Sequence, residues 1–78
     1  MKLTLYVRSG CGLCEDMLRA LQPWRTRLGF ELTVVDIDGD AGLEGRYGEW
    51  VPVLAAGEHE VCHYFLDEGA LQAWHGGA

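Results

Sequence analysis

The chain has 78 residues, 49% of them apolar, and twelve acidic side chains against six basic ones give a net charge of −6. That length fits one domain over residues 1–78 and excludes a second core, and the composition is that of a globular chain rather than a disordered one. Lysine and arginine gather nowhere and no apolar run nears the ~20 residues of a membrane span, so nucleic acid and membrane are not expected partners.

Leu3, Leu5 and Val7 alternate with Thr4 and Tyr6, a short strand pattern, and Gly10 and Gly12 then mark a turn. Leu13, Met17, Leu21, Trp24 and Leu28 recur at steps of three and four and predict one apolar helix face. Glu15, Asp16, Arg19, Gln22 and Arg25 fall mostly on the other face. Pro23 is expected to kink that helix or to start a second segment, and Gly29 to end it. "FELTVVDID" (30–38) is rich in β-branched residues and reads as a second strand, reached by a crossover helix and so parallel to the first.

Asp40 can cap a short helix with Leu43 and Tyr47 on one face, weakened by Gly42 and Gly45. "VPVLAAG" (51–57) and "EHEVCHYF" (58–65) predict an antiparallel hairpin turning at Gly57. Asp67 then caps a last helix carrying Ala70, Leu71 and Trp74, which Gly76 and Gly77 are expected to close. The order β-α-β-α-β-β-α implies an α/β fold with a mixed four-stranded sheet flanked by helices.

The chemistry concentrates in "VRSGCGLCEDM" (7–17). Cys11 stands where the first helix needs its N-cap, and Cys14 three residues on, close enough for a disulfide after small adjustments. A thiolate at Cys11 would accept hydrogen bonds from free N–H groups of the first turn and meet the positive end of the helix dipole. Both lower a thiol's pKa and favour the reactive anion, and Arg8 can add positive charge while Glu15 and Asp16 oppose it. Half a zinc site is the competing reading. It needs two further ligands, and His59, Cys62 and His63 offer no finger spacing. Two inert buried cysteines are the third reading, less favoured because flanking glycines and the loop-to-helix position imply exposure. The amino terminus "MKLTLYVRSG" lacks a signal peptide's apolar segment, so a cytoplasmic location is expected, where thiols stay reduced. Three cysteines also make an odd count for a secreted disulfide framework.

"LTLYVRSGCGLC", "VVDID" and "YGEWVPVL" together resemble the thioredoxin superfamily, most nearly its glutaredoxin-like branch, over almost the whole chain. The resemblance implies a thioredoxin-like fold and thiol–disulfide oxidoreductase activity. It implies Cys11 as attacking thiol, Cys14 as resolving thiol, and Arg8 as the basic residue that stabilises the thiolate. Val51 and Pro52 take the place of the substrate-binding Val-Pro segment with a cis proline. It implies no bound cofactor and no metal, glutathione or a reductase as electron donor, a disulfide in a protein or small molecule as substrate, and a monomer. The glycine pair of glutathione-binding members is absent, with Cys62 and His63 near its place, and poor turnover of glutathione mixed disulfides is expected. Two other classes remain open: a zinc or iron–sulfur binding module, and an interaction domain that keeps the fold without turnover.

Other patterns carry less. Asp36, Asp38 and Asp40 suggest a calcium loop, but Ala41 replaces its glycine and Tyr47 its closing glutamate. Cys62 reads as a small apolar filler in a strand, with a resolving or sensing role less favoured. Trp24, Trp50 and Trp74 read as packing residues, with Trp50 beside the Val-Pro segment as a candidate for lining a docking groove.

Overall fold

The computed structural model describes residues 1–77. Its elements run β1 (Lys2–Val7), α1 (Gly12–Leu28), β2 (Glu31–Asp36), α2 (Ala41–Tyr47), β3 (Val53–Ala56), β4 (His59–His63) and α3 (Glu68–Gly77). The sheet order is β2-β1-β3-β4, with β1 parallel to β2 and antiparallel to β3, and β3 antiparallel to β4. This is the β-α-β-α-β-β-α thioredoxin-like order, a mixed four-stranded sheet with three helices.

Alternation along the strands sorts side chains between two faces. Leu3, Leu5 and Leu54 point to one face and pack with Met17, Leu21 and Trp24 of α1 and Leu71 of α3. Burial of such side chains stabilises by about 1.5–3 kcal/mol each before conformational entropy is counted, so this layer dominates stability. Val53 points to the other face and forms a smaller cluster with Ile37 and Tyr47, joined by Tyr6, Leu43 and Val51. There the Tyr6 and Tyr47 rings stack with centroids 4.1 Å apart.

The helical face departs from its periodicity at one end. Met17, Leu21 and Trp24 are buried and Leu28 half-buried, but Leu13 is 37% exposed and Cys14 is the buried residue of the first turn. β1 has ended at Val7 where α1 begins, so the first turn of the helix has little sheet to pack on. Pro23 neither ends α1 nor divides it. It lies on the exposed side, where water can reach the Arg19 carbonyl that loses its donor, while Leu21 and Trp24 anchor the turn in the core. Gly29 closes the helix at φ 74°, its N–H donating to the Arg25 carbonyl, in the left-handed region that glycine enters without a Cβ clash.

β2, β3 and β4 are shorter than the runs that predict them, by one or two residues at each end, whereas β1 also takes in Lys2: Phe30 and Ile37 are buried beyond the limits of β2. Asp40 caps α2 through its carboxylate and Leu43 N–H at 3.0 Å. Asp67 accepts from Ala70 N–H at 2.9 Å before α3. α3 runs through Gly76 and Gly77 instead of stopping before them. Among the described residues, no helix is long and apolar enough to cross a membrane.

Candidate dithiol site

β1 delivers the chain to one end of the sheet, and residues 8–11 turn it into α1. Gly10 makes that turn at φ 71°. Cys11 is the N-cap, extended at φ −94° and ψ 107°, and its Sγ accepts from the Cys14 N–H at 3.1 Å. The sulfur therefore takes the place of a capping serine or aspartate oxygen, on a backbone donor that has no partner within the helix. Its carbonyl accepts from Glu15 N–H at 3.2 Å, which starts the α-helical ladder. Cys11 and Cys14 form a disulfide, with Cα atoms 5.2 Å apart. Cys11 is half-buried, whereas Cys14 is 4% exposed, turned inward on the first turn.

Arg8 is held by the β2–α2 segment. Its Nε donates to Asp38 Oδ1 at 3.0 Å and its Nη1 to the Gly48 carbonyl at 3.4 Å, with Glu44 a further 3.8 Å partner. Ser9 continues the link, donating from its N–H to Asp38 Oδ2 at 3.1 Å and from its hydroxyl to Asp36 Oδ2 at 3.2 Å. The Ser9 N–H and the Arg8 guanidinium hold the Asp38 carboxyl below its ordinary pKa. The residues before Cys11 are thus tied down by ionic hydrogen bonds at the surface. A shallow groove beside the disulfide is lined by Val7, Arg8, Gly10, Leu18 and Val34.

The Val51–Pro52 bond is cis. Pro52 is buried and Val51 half-buried, just before the β3 ladder begins. Tyr6 pairs with Val53 across the sheet, so continuing the antiparallel register brings Pro52 beside Val7, at the end from which the cysteine loop departs. Tyr64 grips this segment twice: its N–H donates to the Pro52 carbonyl at 2.9 Å and its hydroxyl to the Glu49 carbonyl at 2.7 Å. Tyr64 has φ 63°, unusual for a residue with a side chain. His63 packs edge-on against both neighbours, with ring centroids 5.4 Å from Trp50 and 4.8 Å from Tyr64. Trp50 is 45% exposed and lines a cleft with Tyr47, Glu60 and His63, apart from the two tryptophans packed with the main core.

The third cysteine is set differently. Cys62 is free and buried in β4, paired with Leu54 across the strands, and burial pushes its thiol up. Among the described residues, no three His, Cys, Asp or Glu side chains are gathered to hold a metal ion. Two features of the site went unread in the sequence: the Asp38 anchor of Arg8 and Ser9, and the double grip of Tyr64. The first had a faint signal in the alternating acids of "DIDGD"; the second had none.

Fold and cysteine pair together define a thioredoxin-like protein of the glutaredoxin-like kind. Comparison with known proteins agrees: residues 2–75 match the family model described as "Glutaredoxin-like domain (DUF836)", and the chain belongs to that family. The chain is similar to a protein of Nitrosomonas europaea solved by NMR, at 44% identity and TM-score 0.85, covering 94% of this chain and 88% of that one. It is 29% identical to an uncharacterized protein of Mycobacterium tuberculosis, over 92% of this chain and 79% of the relative. Thioredoxin 1 of Thermosipho africanus superposes with TM-score 0.63 at 16% identity, over 95% of this chain and 93% of that one, a likeness of fold. The glutaredoxin-like fold and the close Cys11–Cys14 pair fit a redox role.

Proposed function

We propose that the chain is a thiol–disulfide oxidoreductase in which Cys11 attacks and Cys14 resolves. The observation that carries this reading is the Cys14 N–H hydrogen bond to Cys11 Sγ at the start of α1. In the reduced protein the same donor and the helix dipole favour an anionic sulfur. The Cys11 thiolate attacks one sulfur of a substrate disulfide; the substrate S–S bond breaks, one thiolate leaves, and a mixed disulfide to Cys11 forms. Cys14, once it gives up its proton, attacks Cys11 Sγ, expels the second substrate thiolate and leaves the Cys11–Cys14 disulfide. The two electrons come from the dithiol, and glutathione or a reductase restores it.

Val51 and Pro52 would present backbone to an extended substrate, a form of strand addition supported by their place outside the β3 ladder at the cysteine end. Arg8 acts on Cys11 chiefly by fixing the loop, because its guanidinium is hydrogen-bonded to Asp38 and Gly48. Glutathione mixed disulfides should turn over poorly, since Cys62 and His63 stand near the place of the glycine pair and the net charge of −6 disfavours an anionic tripeptide.

The test is reduction of a protein disulfide by the chain and by Cys11→Ser, alongside a glutathionylated small thiol. Reduction by the native chain alone is expected, faster on the protein disulfide. Equal rates for the two proteins would overturn the assignment of Cys11. Efficient turnover of the glutathione substrate without the protein one would overturn the substrate reading.

A further inference from the structure

The two ends of the sheet differ in charge. The register places the ends of β1, β2 and β4 and the start of β3 together, at the end where α1 begins. Glu15, Asp16, Asp36, Asp38 and Glu49 stand at this dithiol end, on α1, the end of β2 and the approach to β3. Two cations there are already paired, Arg8 with Asp38 at 3.0 Å and Arg19 with Asp16 at 2.6 Å. Lys2, Arg25 and Arg27 lie at the opposite end, where they are balanced by Glu31, Glu58 and Glu60. The dithiol end keeps an excess of three carboxylates over Arg8 and Arg19, half of the net charge of −6.

The same end carries exposed apolar side chains. Leu13 lies between the cysteines and is 37% exposed, Trp50 precedes Val51 at 45%, and Phe65 follows Tyr64 at 69%. Phe65 borders a groove with Asp16, Met17, Leu66 and Glu68, so an aromatic ring and two carboxylates share one groove. Large exposed apolar side chains beside charged ones are the composition of a docking surface. A negative field slows small anionic disulfides and draws in a partner that carries cations.

We infer that the oxidised substrate is a polypeptide whose disulfide lies among basic and large apolar side chains, docked on Leu13, Trp50 and Phe65 within the acidic rim. This rests on the thiol–disulfide reading and names its substrate class. The covalent steps are those given above; the rim decides which disulfide reaches Cys11.

The test uses the reduced full chain and two synthetic peptides with the same cystine ring, one flanked by lysine and leucine and the other by glutamate and leucine. Bis(2-hydroxyethyl) disulfide serves as the small uncharged reference, and dithiothreitol, run in parallel, normalises intrinsic reactivity. After normalisation the lysine peptide should react at least about tenfold faster than the glutamate peptide at low salt, and the ratio should shrink severalfold at ~0.5 M salt. Glu15→Gln combined with Glu49→Gln should lower that ratio. Phe65→Ala, at a site too exposed to threaten folding, should slow both peptides relative to the small reference. A ratio near one, a ratio indifferent to salt, or an unaltered Phe65→Ala profile would overturn the docking surface while leaving the dithiol chemistry intact. Failure to reduce even the small disulfide would overturn both.

Discussion

Cys11 and Cys62 are the same chemical group in opposite settings. Cys11 caps a helix at a half-open junction and receives a backbone N–H, and the Arg8 and Ser9 that precede it are held by the Asp38 carboxylate. Cys62 is enclosed in β4, against Leu54, with its thiol pushed up by burial. Sequence supplies a sulfur in both places; the first lies at a helix start with an opening through which it can react, whereas at the second burial outweighs a backbone hydrogen bond from Asp67. The helix start is built from polar contacts that water can contest, the strand from apolar burial that it cannot.

The largest separation should appear in turnover. Cys11→Ser should fall to the uncatalysed rate of protein-disulfide reduction, whereas Cys62→Ala should keep its rate and lose about 1 kcal/mol of stability for the missing sulfur. If Cys62→Ala also abolished reduction, the contrast between the two sites would collapse. Alkylation of the reduced chain with limiting reagent near neutral pH gives the next effect. Cys11 should label first, Cys14 later and Cys62 last, since each unit of pKa separation changes the thiolate fraction about tenfold. The raised thiol of Cys62 should close part of that gap as pH climbs.

Acid should loosen one region and spare the other. The Asp38 carboxyl is held below the ordinary aspartate value of 3.8, so its contribution is present above that value and disappears as pH falls through the depressed one. Hydrogen exchange at the Ser9 N–H, which donates to Asp38, should quicken over that acidic window, while the Cys62 amide should not share the change. Asp38→Asn should remove the pH dependence at Ser9. The smallest effect is expected from Tyr64→Phe, which deletes one hydrogen bond to the Glu49 carbonyl and should cost about 0.5–1.5 kcal/mol by denaturant unfolding.

The sequence made legible whatever depends on neighbours within a turn or two of chain. Met17, Leu21 and Trp24 declare the buried face of α1, Asp40 and Asp67 announce their caps, and Cys11 falls at a helix start because Gly10 and Gly12 bracket it. What stayed hidden spans longer separations. Arg8 and Ser9 meet Asp38 across 30 and 29 positions, and the hydroxyl of Tyr64 meets Glu49 across 15. Such pairings follow from the strand order, which no local pattern encodes. Leu13 misled for the same reason: its helical phase was right, but phase alone does not say that the sheet has ended beside it.

Position 64 sets ease of folding against grip. A left-handed backbone angle costs a tyrosine about 1 kcal/mol that glycine would not incur, and asparagine would incur less. Yet either replacement discards the hydroxyl that holds Glu49 and the ring that His63 packs against. The strain relieved is no larger than what the lost hydroxyl bond and ring packing contribute, so such replacements should leave stability near where it was and the Glu49–Pro52 segment slacker. Tyrosine at this angle trades backbone ease for the shape of that segment.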